Sequence, residues 1–333
     1  MNNKNKSLQV AIVFLVILCF LAIWNIYVPK SIYSDKSVIF VSQKGMSNES
    51  IATELKNYGM IKSKMFFKLY SIISGSYSKL QAGRYELKST MSIAQIVKKM
   101  AFGDVIREKI TIIEGWNLKD IAKYLENKKW YSQKDFLALT ENDWSHNFEF
   151  LKDKPRDLNL EGYIFPDTYE ISSQQPEDFL KIILSNFDKK LTADLRKEIS
   201  IQNKSIFQVI TMASILEKEV KSLEDKKIVS GILWKRIKEG MPLQVDATIN
   251  FITGKNNAKA TINDTKIDSL YNTYKYDGLP LGPISNPGID SILAAIYPAK
   301  SPYWYYLSAD GDGTTIFSKT LEEHNIAKIK YLK

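Results

Sequence analysis

The chain has 333 residues, enough for two or three domains and a sizeable core, and 44% hydrophobic with 25% charged residues excludes wholesale disorder. A net charge of +9 points to an anionic setting: a membrane surface, an acidic polymer or nucleic acid. Nucleic acid ranks last and is not expected, because the sequence has no compact Lys/Arg cluster with interleaved aromatics and no zinc-finger or RNA-binding signature.

From Leu8 to Val28 the chain is apolar apart from Gln9 and Asn25, long enough to cross a bilayer as a helix. Lys4 and Lys6 precede this run, and Trp24 and Tyr27 lie near its far end, where interfacial aromatics belong. A cleaved signal peptide would carry a shorter apolar region ending in small residues, and no Ala-x-Ala follows here. Val16-Ile17-Leu18 before Cys19 also lacks the small residue of a lipoprotein cleavage site. An uncleaved transmembrane helix over 8–28, after a tail of residues 1–7, is therefore expected. Lys30 and Lys36 offset the two N-terminal lysines, so charge alone leaves the orientation open. Cys19 is the only cysteine, which excludes disulfides and cysteine metal sites beyond the span. With only His146 and His324, no metal site is expected, and no cofactor.

After the anchor, the strand-like Ser37–Val41 leads through Gly45 into the amphipathic stretch Ser50–Leu55. Lys109–Ile113, Gly115 and Asp120–Leu125 repeat that plan. Gly45/Gly115, Ile51/Ile121, Ala52/Ala122, Leu55/Leu125 and Phe66/Phe136 each lie 70 positions apart. A duplicated strand–turn–helix unit explains the offset, with a common helix entry as the competing account. Between the copies, Ser92–Met100 reads as a helix and Gly103-Asp104 as a turn. Residues 37–140 thus read as small α+β modules suited to binding. A second region, 158–333, is mainly helical to Lys238, including Asp178–Leu191. It then becomes loop-rich through Gly278–Pro283 and Asn286-Pro287-Gly288. Ser301–Leu307 and Thr314–Phe317 read as strands joined by a turn at Gly311-Asp312-Gly313.

Chemistry centres on Phe207–Leu216, a run without Gly or Pro that reads as a helix inside a core and ends in Glu217 and Glu219. A carboxyl held against such a helix is costly to ionise, and a raised pKa suits a general acid. The competing account puts both acids in solvent at a polar helix end. On an ideal helix the two differ by about 200°, so only one can face a given cleft. Glu161-Gly162-Tyr163-Ile164-Phe165-Pro166-Asp167 gathers acids and tyrosines on a rigid turn, either a sugar platform or a structural corner. Gln244 and Asp246, two apart, would share a face of an extended segment, offering a polar edge or forming a solvated loop.

These segments, with Tyr271-Asn272-Thr273-Tyr274, Gly278-Leu279-Pro280, Asn286-Pro287-Gly288 and Tyr303-Trp304-Tyr305, occur in the order found in the YceG-like endolytic murein transglycosylases, which the chain resembles over the anchor, the LysM-like module and nearly all of 158–333. The resemblance implies an α+β protein: a transmembrane helix, a LysM-like module over 37–140 and a mixed α+β catalytic domain with its acid on a buried helix. It implies a bacterial inner-membrane protein with a cytoplasmic tail and an extracytoplasmic catalytic domain. Its substrate would be nascent peptidoglycan glycan strands, with peptidoglycan synthases as candidate partners. The implied reaction cuts the MurNAc–GlcNAc bond without water, leaves 1,6-anhydroMurNAc ends and terminates strand elongation. Carried onto this sequence, the catalytic acid falls on Glu217, with Glu219 as fallback. Gln244, Asp246, Tyr271, Asn272 and Tyr274 become glycan contacts, and Glu161, Tyr163 and Asp167 line or support the cleft. Thr315 stands where the family often has histidine, and Val245 and Ala247 also depart from its pattern, while His324-Asn325 is kept. A silent glycan-binding scaffold and a hydrolase are the competing functions.

Overall fold

The helices begin where the sequence supplies side-chain acceptors for the otherwise unpaired N–H groups of a first turn. Ser92, Asn117 and Ser205 each form a reciprocal capping box with the residue three further on, opening helices at Ile93, Leu118 and Ile206. A computed structural model describes residues 3–33, 36–172, 175–255, 260–310 and 313–332, and it divides into two compact units.

The first unit comprises residues 1–109 and 170–175. Helix α1 (Asn3–Tyr27) includes a 20-residue stretch, Leu8–Tyr27, long and apolar enough to cross a membrane. Strand β1 (Ser37–Ser42) leads to α2 (Asn48–Asn57), α3 (Lys64–Ile73), β2 (Gly83–Lys88) and α4 (Ile93–Ala101). β1 and β2 pair antiparallel from Ser37↔Lys88 to Ser42↔Gly83. That register turns Phe40, Tyr85 and Leu87 inward onto Ile51, Leu55, Phe67 and Val97, and all are buried.

The second unit takes up residues 110–169 and 176–333. Strands β3 (Glu108–Thr111) and β4 (Thr168–Ile171) each run across the division between the units, with α5 (Leu118–Asn127) and α6 (Gln133–Thr140) between them in sequence. Five helices follow: α7 (Pro176–Lys190), α8 (Ala193–Ile201), α9 (Ile206–Glu219), α10 (Leu223–Lys238) and α11 (Asp246–Thr253). After the loop region come α12 (Ile289–Ile296), the hairpin strands β5 (Tyr305–Ser308) and β6 (Thr315–Ser318), and α13 (Leu321–Tyr331). The strand expected over 301–307 starts only at Tyr305, and Gly311 and Asp312 of the expected turn lie outside the described residues.

The first unit closes at Lys109, so α5 and α6, which fall inside the expected 37–140, belong to the second unit. The repeated plan is present, since β1–α2–α3 and β3–α5–α6 follow the same order. Gly45 and Gly115 both adopt positive φ, as do Gly59 and Lys129, each pair 70 apart. The match Phe66/Phe136 is displaced by one. The caps Ser63 and Ser132 lie 69 apart (132 − 63), because the second helix–helix connection is one residue shorter. The residue equivalent to Phe136 is therefore Phe67, and both are fully buried.

One glycine fixes the corner after Glu161. Gly162 has φ +90°, and a Cβ there would lie 2.6 Å from Pro283 Cβ and 2.9 Å from Ile210 Cγ2. Gly162→Ala combines backbone strain with overpacking and should destabilise the chain by about 2–5 kcal/mol. Thermal unfolding of parent and variant measures this as a lowered midpoint.

Candidate active site

Helix α9 is the spine of the site. Its eight residues Val209–Leu216 are all buried, as expected for a helix apolar on every side. Asp153 adds to the capping box by accepting from Ile206 N at 2.7 Å. Deep in the core, Ser214 Oγ accepts from Ile284 N at 3.0 Å, and Ser285 Oγ donates to Ser214 O at 3.0 Å. These bonds fasten the glycine- and proline-rich loop onto the helix. Asn286 extends the fastening. Its Oδ1 accepts from Ile164 N at 2.8 Å, and its Nδ2 donates to Trp116 O at 2.9 Å and Glu161 Oε1 at 3.0 Å.

Neither acid at the end of α9 is freely solvated. The Glu217 side chain is only 8% exposed and pairs with Lys226, itself 5% exposed, at 3.3 Å. Glu217 Oε2 also accepts from Gly288 N at 2.9 Å and Ser291 Oγ at 2.7 Å. Its carboxylate therefore caps the positive end of α12 as well as neutralising a buried lysine. Burial, and next the Glu217 charge, push the neighbouring Glu114 carboxyl up from its ordinary value.

Glu219 opens instead on a cavity of about 580 Å³, whose wall includes Asn117, Glu161, Lys218, Asp246, Asn250 and Ser308. Its Oε2 accepts from Tyr306 OH at 3.1 Å. Burial raises the Glu219 carboxyl to about 7, helped by the Asp246 charge and opposed by hydrogen bonds from Tyr306 and the Ala247 amide. The expected separation of the two carboxyls around the helix is thus realised, with the fallback residue on the cavity side.

The polar frame around Glu219 comes from three segments. Asp246 opens α11 and accepts from Tyr274 OH at 2.5 Å. Arg236 is buried and donates to Trp304 O and Leu243 O, each at 2.9 Å, with its guanidinium 5.1 Å from the Tyr305 ring. It thereby joins β5, which carries Tyr306, to the segment before Asp246. Removing the Tyr306 donor should leave Glu219 in place while raising its pKa further. NMR titration of the Glu219 carboxyl in parent and Tyr306→Phe should read this as an upward shift.

Glu161 also lines the cavity but is buried and fully engaged. Its Oε2 accepts from Leu118 N at 3.0 Å while Oε1 takes the Asn286 amide, and burial raises it to about 8. Among the other expected contacts, Asp246 lines the cavity. Gln244 is exposed at φ +54°, and Asp246 already belongs to α11, so the two share no extended face. Asn272 is buried, donates to Thr265 O at 3.0 Å and Ile267 O at 2.7 Å, and accepts from Tyr274 N at 3.0 Å, so its amide is consumed by its own turn. The Tyr271 ring lies 5.0 Å from that of Phe251, a cavity residue, at a tilt of 45°. Tyr163 is a core residue against Phe150 and Phe187. Burial pushes the Asp167 carboxyl up, but bonds from Thr168, Asn186 and Lys190 outweigh it and hold the group low. Thr315 Oγ1 donates to Asp225 at 3.0 Å, and His324 is buried against the Tyr305 ring with its pKa depressed to about 4 by burial.

Tyr306, Arg236 and Asn250 were not singled out from sequence. The aromatic run Tyr303–Tyr306 was the available signal for the first; nothing marked the others.

The fold and this site define a class already known. A model of the YceG-like family matches residues 40–330, and the chain belongs to that family. It is similar to the endolytic murein transglycosylase of Bacillus subtilis (strain 168), 34% identical over 302 residues, 86% of this chain and 83% of that protein. The endolytic murein transglycosylase of Streptococcus pneumoniae (strain D39) is 30% identical over 325 residues, 89% of this chain; the chain spans 59% of that longer protein. The crystal structure of a putative YceG-like protein from Listeria monocytogenes matches with a TM-score of 0.61 at 33% identity, covering 89% of this chain and all of that one.

Proposed function

We propose that the chain is a membrane-anchored lytic transglycosylase that cuts peptidoglycan glycan strands internally, with Glu219 as its general acid/base. The observation that carries this is a carboxyl raised to about 7 that opens on a polar-walled cavity. A cavity of about 580 Å³ lies within the roughly 300–1,000 Å³ typical of ligand sites. A group with that pKa is protonated in a large fraction of molecules near neutrality and can donate, then accept, a proton. Protonated Glu219 gives its proton to the glycosidic oxygen as the C1–O bond breaks. The resulting carboxylate takes the proton of the sugar's own 6-hydroxyl, whose oxygen bonds to C1 and closes the 1,6-anhydro ring. No water is consumed, and no second carboxylate nucleophile of the retaining-glycosidase kind is needed.

Glu217, first choice from the sequence, is less suited because its carboxylate is committed to Lys226 and to α12. Asp246 and Tyr274 hold the frame, and Glu161 keeps α5 and the Asn286 loop at the cavity wall. Helix α1 supports a single-pass anchor with the rest of the chain on the extracytoplasmic side of the plasma membrane, where nascent strands emerge. Synthases working there are the expected neighbours, and internal cutting would terminate strand elongation. The order β1–α2–α3–β2 with antiparallel pairing supports a LysM-like glycan-binding module in the first unit.

Mass spectrometry of nascent strands incubated with the chain tests the reading. Fragments with anhydro ends are expected; reducing ends would make it a hydrolase, and intact strands that remain bound would make it a scaffold.

A further inference from the structure

The first unit carries an apolar surface that its own core does not use. Helix α3 is apolar on two opposite sides. Phe67 and Ser71 are buried, whereas Met65, Leu69, Ile72 and Ile73 are 64%, 38%, 59% and 71% exposed. At about 100° per residue these four fall within an arc of about 100°, opposite the buried pair. A continuous exposed stripe of this kind is atypical of a water-facing helix and marks an interaction surface.

What covers the stripe follows from its place beside α1. Tyr70 of α3 meets Tyr27, the last residue of the apolar span, with ring centroids 6.0 Å apart. Lys62, just before α3, places its ammonium 5.7 Å from the ring of Trp24. The 20 residues Leu8–Tyr27 make a helix of about 30 Å, the thickness of a bilayer's hydrocarbon core. Trp24 and Tyr27 then lie at the boundary between hydrocarbon and headgroups, and α3 lies at the same depth. Along the other border of the stripe, Lys64 and Lys68 share Glu49 at 3.4 and 2.5 Å, so that border keeps one net positive charge, as suits the headgroup level.

We propose that α3 is a second membrane contact, its Met65, Leu69, Ile72 and Ile73 stripe seated in the lipid interface beside the anchor. This rests on the reading of α1 as a transmembrane helix. Two attachments fix the tilt of the first unit on the membrane, which a single flexible tether would not do.

Cys19 is the only cysteine, so a Cys19→Ala background accepts a single thiol probe. In that background Ile72→Cys and, separately, Ile73→Cys are labelled with bimane and reconstituted into phosphatidylcholine/phosphatidylglycerol vesicles. Lys197→Cys, an exposed position in the second unit, is the reference. The expected result is that all three chains float with the vesicles after an alkaline wash. Lipids carrying a nitroxide near the headgroup should quench the labels at 72 and 73 at least about twofold more than the label at 197. Chains that float while the labels at 72 and 73 are quenched no more than the reference, and stay open to aqueous iodide, would overturn the proposal and leave the anchor standing. A stripe covered by a protein partner would give that same result. Chains that fail to float would overturn the anchor, and the proposal with it.

Discussion

Glu219→Gln is expected to lower the release of anhydro-ended fragments by about 10³-fold, within the range for loss of a positioned general acid. The fold should survive, because glutamine keeps an oxygen for the Tyr306 hydroxyl and the Ala247 amide. Its stability profile carries a sign of its own. The folded-state pKa of about 7 stands above the ordinary 4.5, so between these values the folded chain binds more protons than the unfolded one. Stability conferred by the neutral carboxyl is complete below about 4.5, is lost as pH rises toward 7, and changes no further above that. Glu219→Gln removes this loss and should exceed the parent's stability at pH 8 by up to about 3 kcal/mol. The parent's activity should fall above about pH 7 as the acid deprotonates. Fragment release, measured beside urea unfolding at pH 5 and 8, checks both halves. A variant that cuts normally would remove Glu219 from the mechanism.

Glu217→Ala should fail in a different way. It strands the Lys226 ammonium, whose side chain is 5% exposed, without its carboxylate, and it uncaps Gly288 and Ser291 at the start of α12. Breaking one side of a buried pair costs about 3–5 kcal/mol, much of a domain's whole stability. The unfolding midpoint should drop steeply, and activity should fall in proportion to the folded fraction. The double variant Glu217→Ala with Lys226→Met should regain much of the stability, since it removes both charges together. Cleavage lost in Glu217→Ala but present in the double variant identifies a structural glutamate. A stable double variant that cannot cut would instead return the acid to Glu217.

The contrast shows what the sequence could and could not reveal. The buried helix before the two acids was legible because Phe207–Leu216 has a single reading: no breaker, no polar stripe and a capping box at its start. That only one acid could face the cleft followed from helix geometry. Which one did not, because the deciding partners arrive from outside the helix. Lys226, Gly288 and Ser291 claim Glu217, while Ala247 and Tyr306 surround Glu219. Tertiary contacts also explain Asn272. In the sequence it sits between two tyrosines like a ligand contact, yet its amide closes the turn that presents Tyr274. The repeat was visible from its glycines and helix entries. Its one-residue slip was hidden by Phe66 and Phe67, adjacent phenylalanines that satisfy either alignment.

The bond from Tyr306 to Glu219 spans 87 residues. During synthesis or export from the N-terminus, the acid therefore appears long before the hairpin that completes its surroundings. A chain still emerging, or one clipped ahead of β5, presents Glu219 without the Tyr306 hydroxyl that the folded site turns toward its carboxylate. With Glu219 as the proposed acid, the order of assembly delays completion of the site until β5 has docked beside the end of α9.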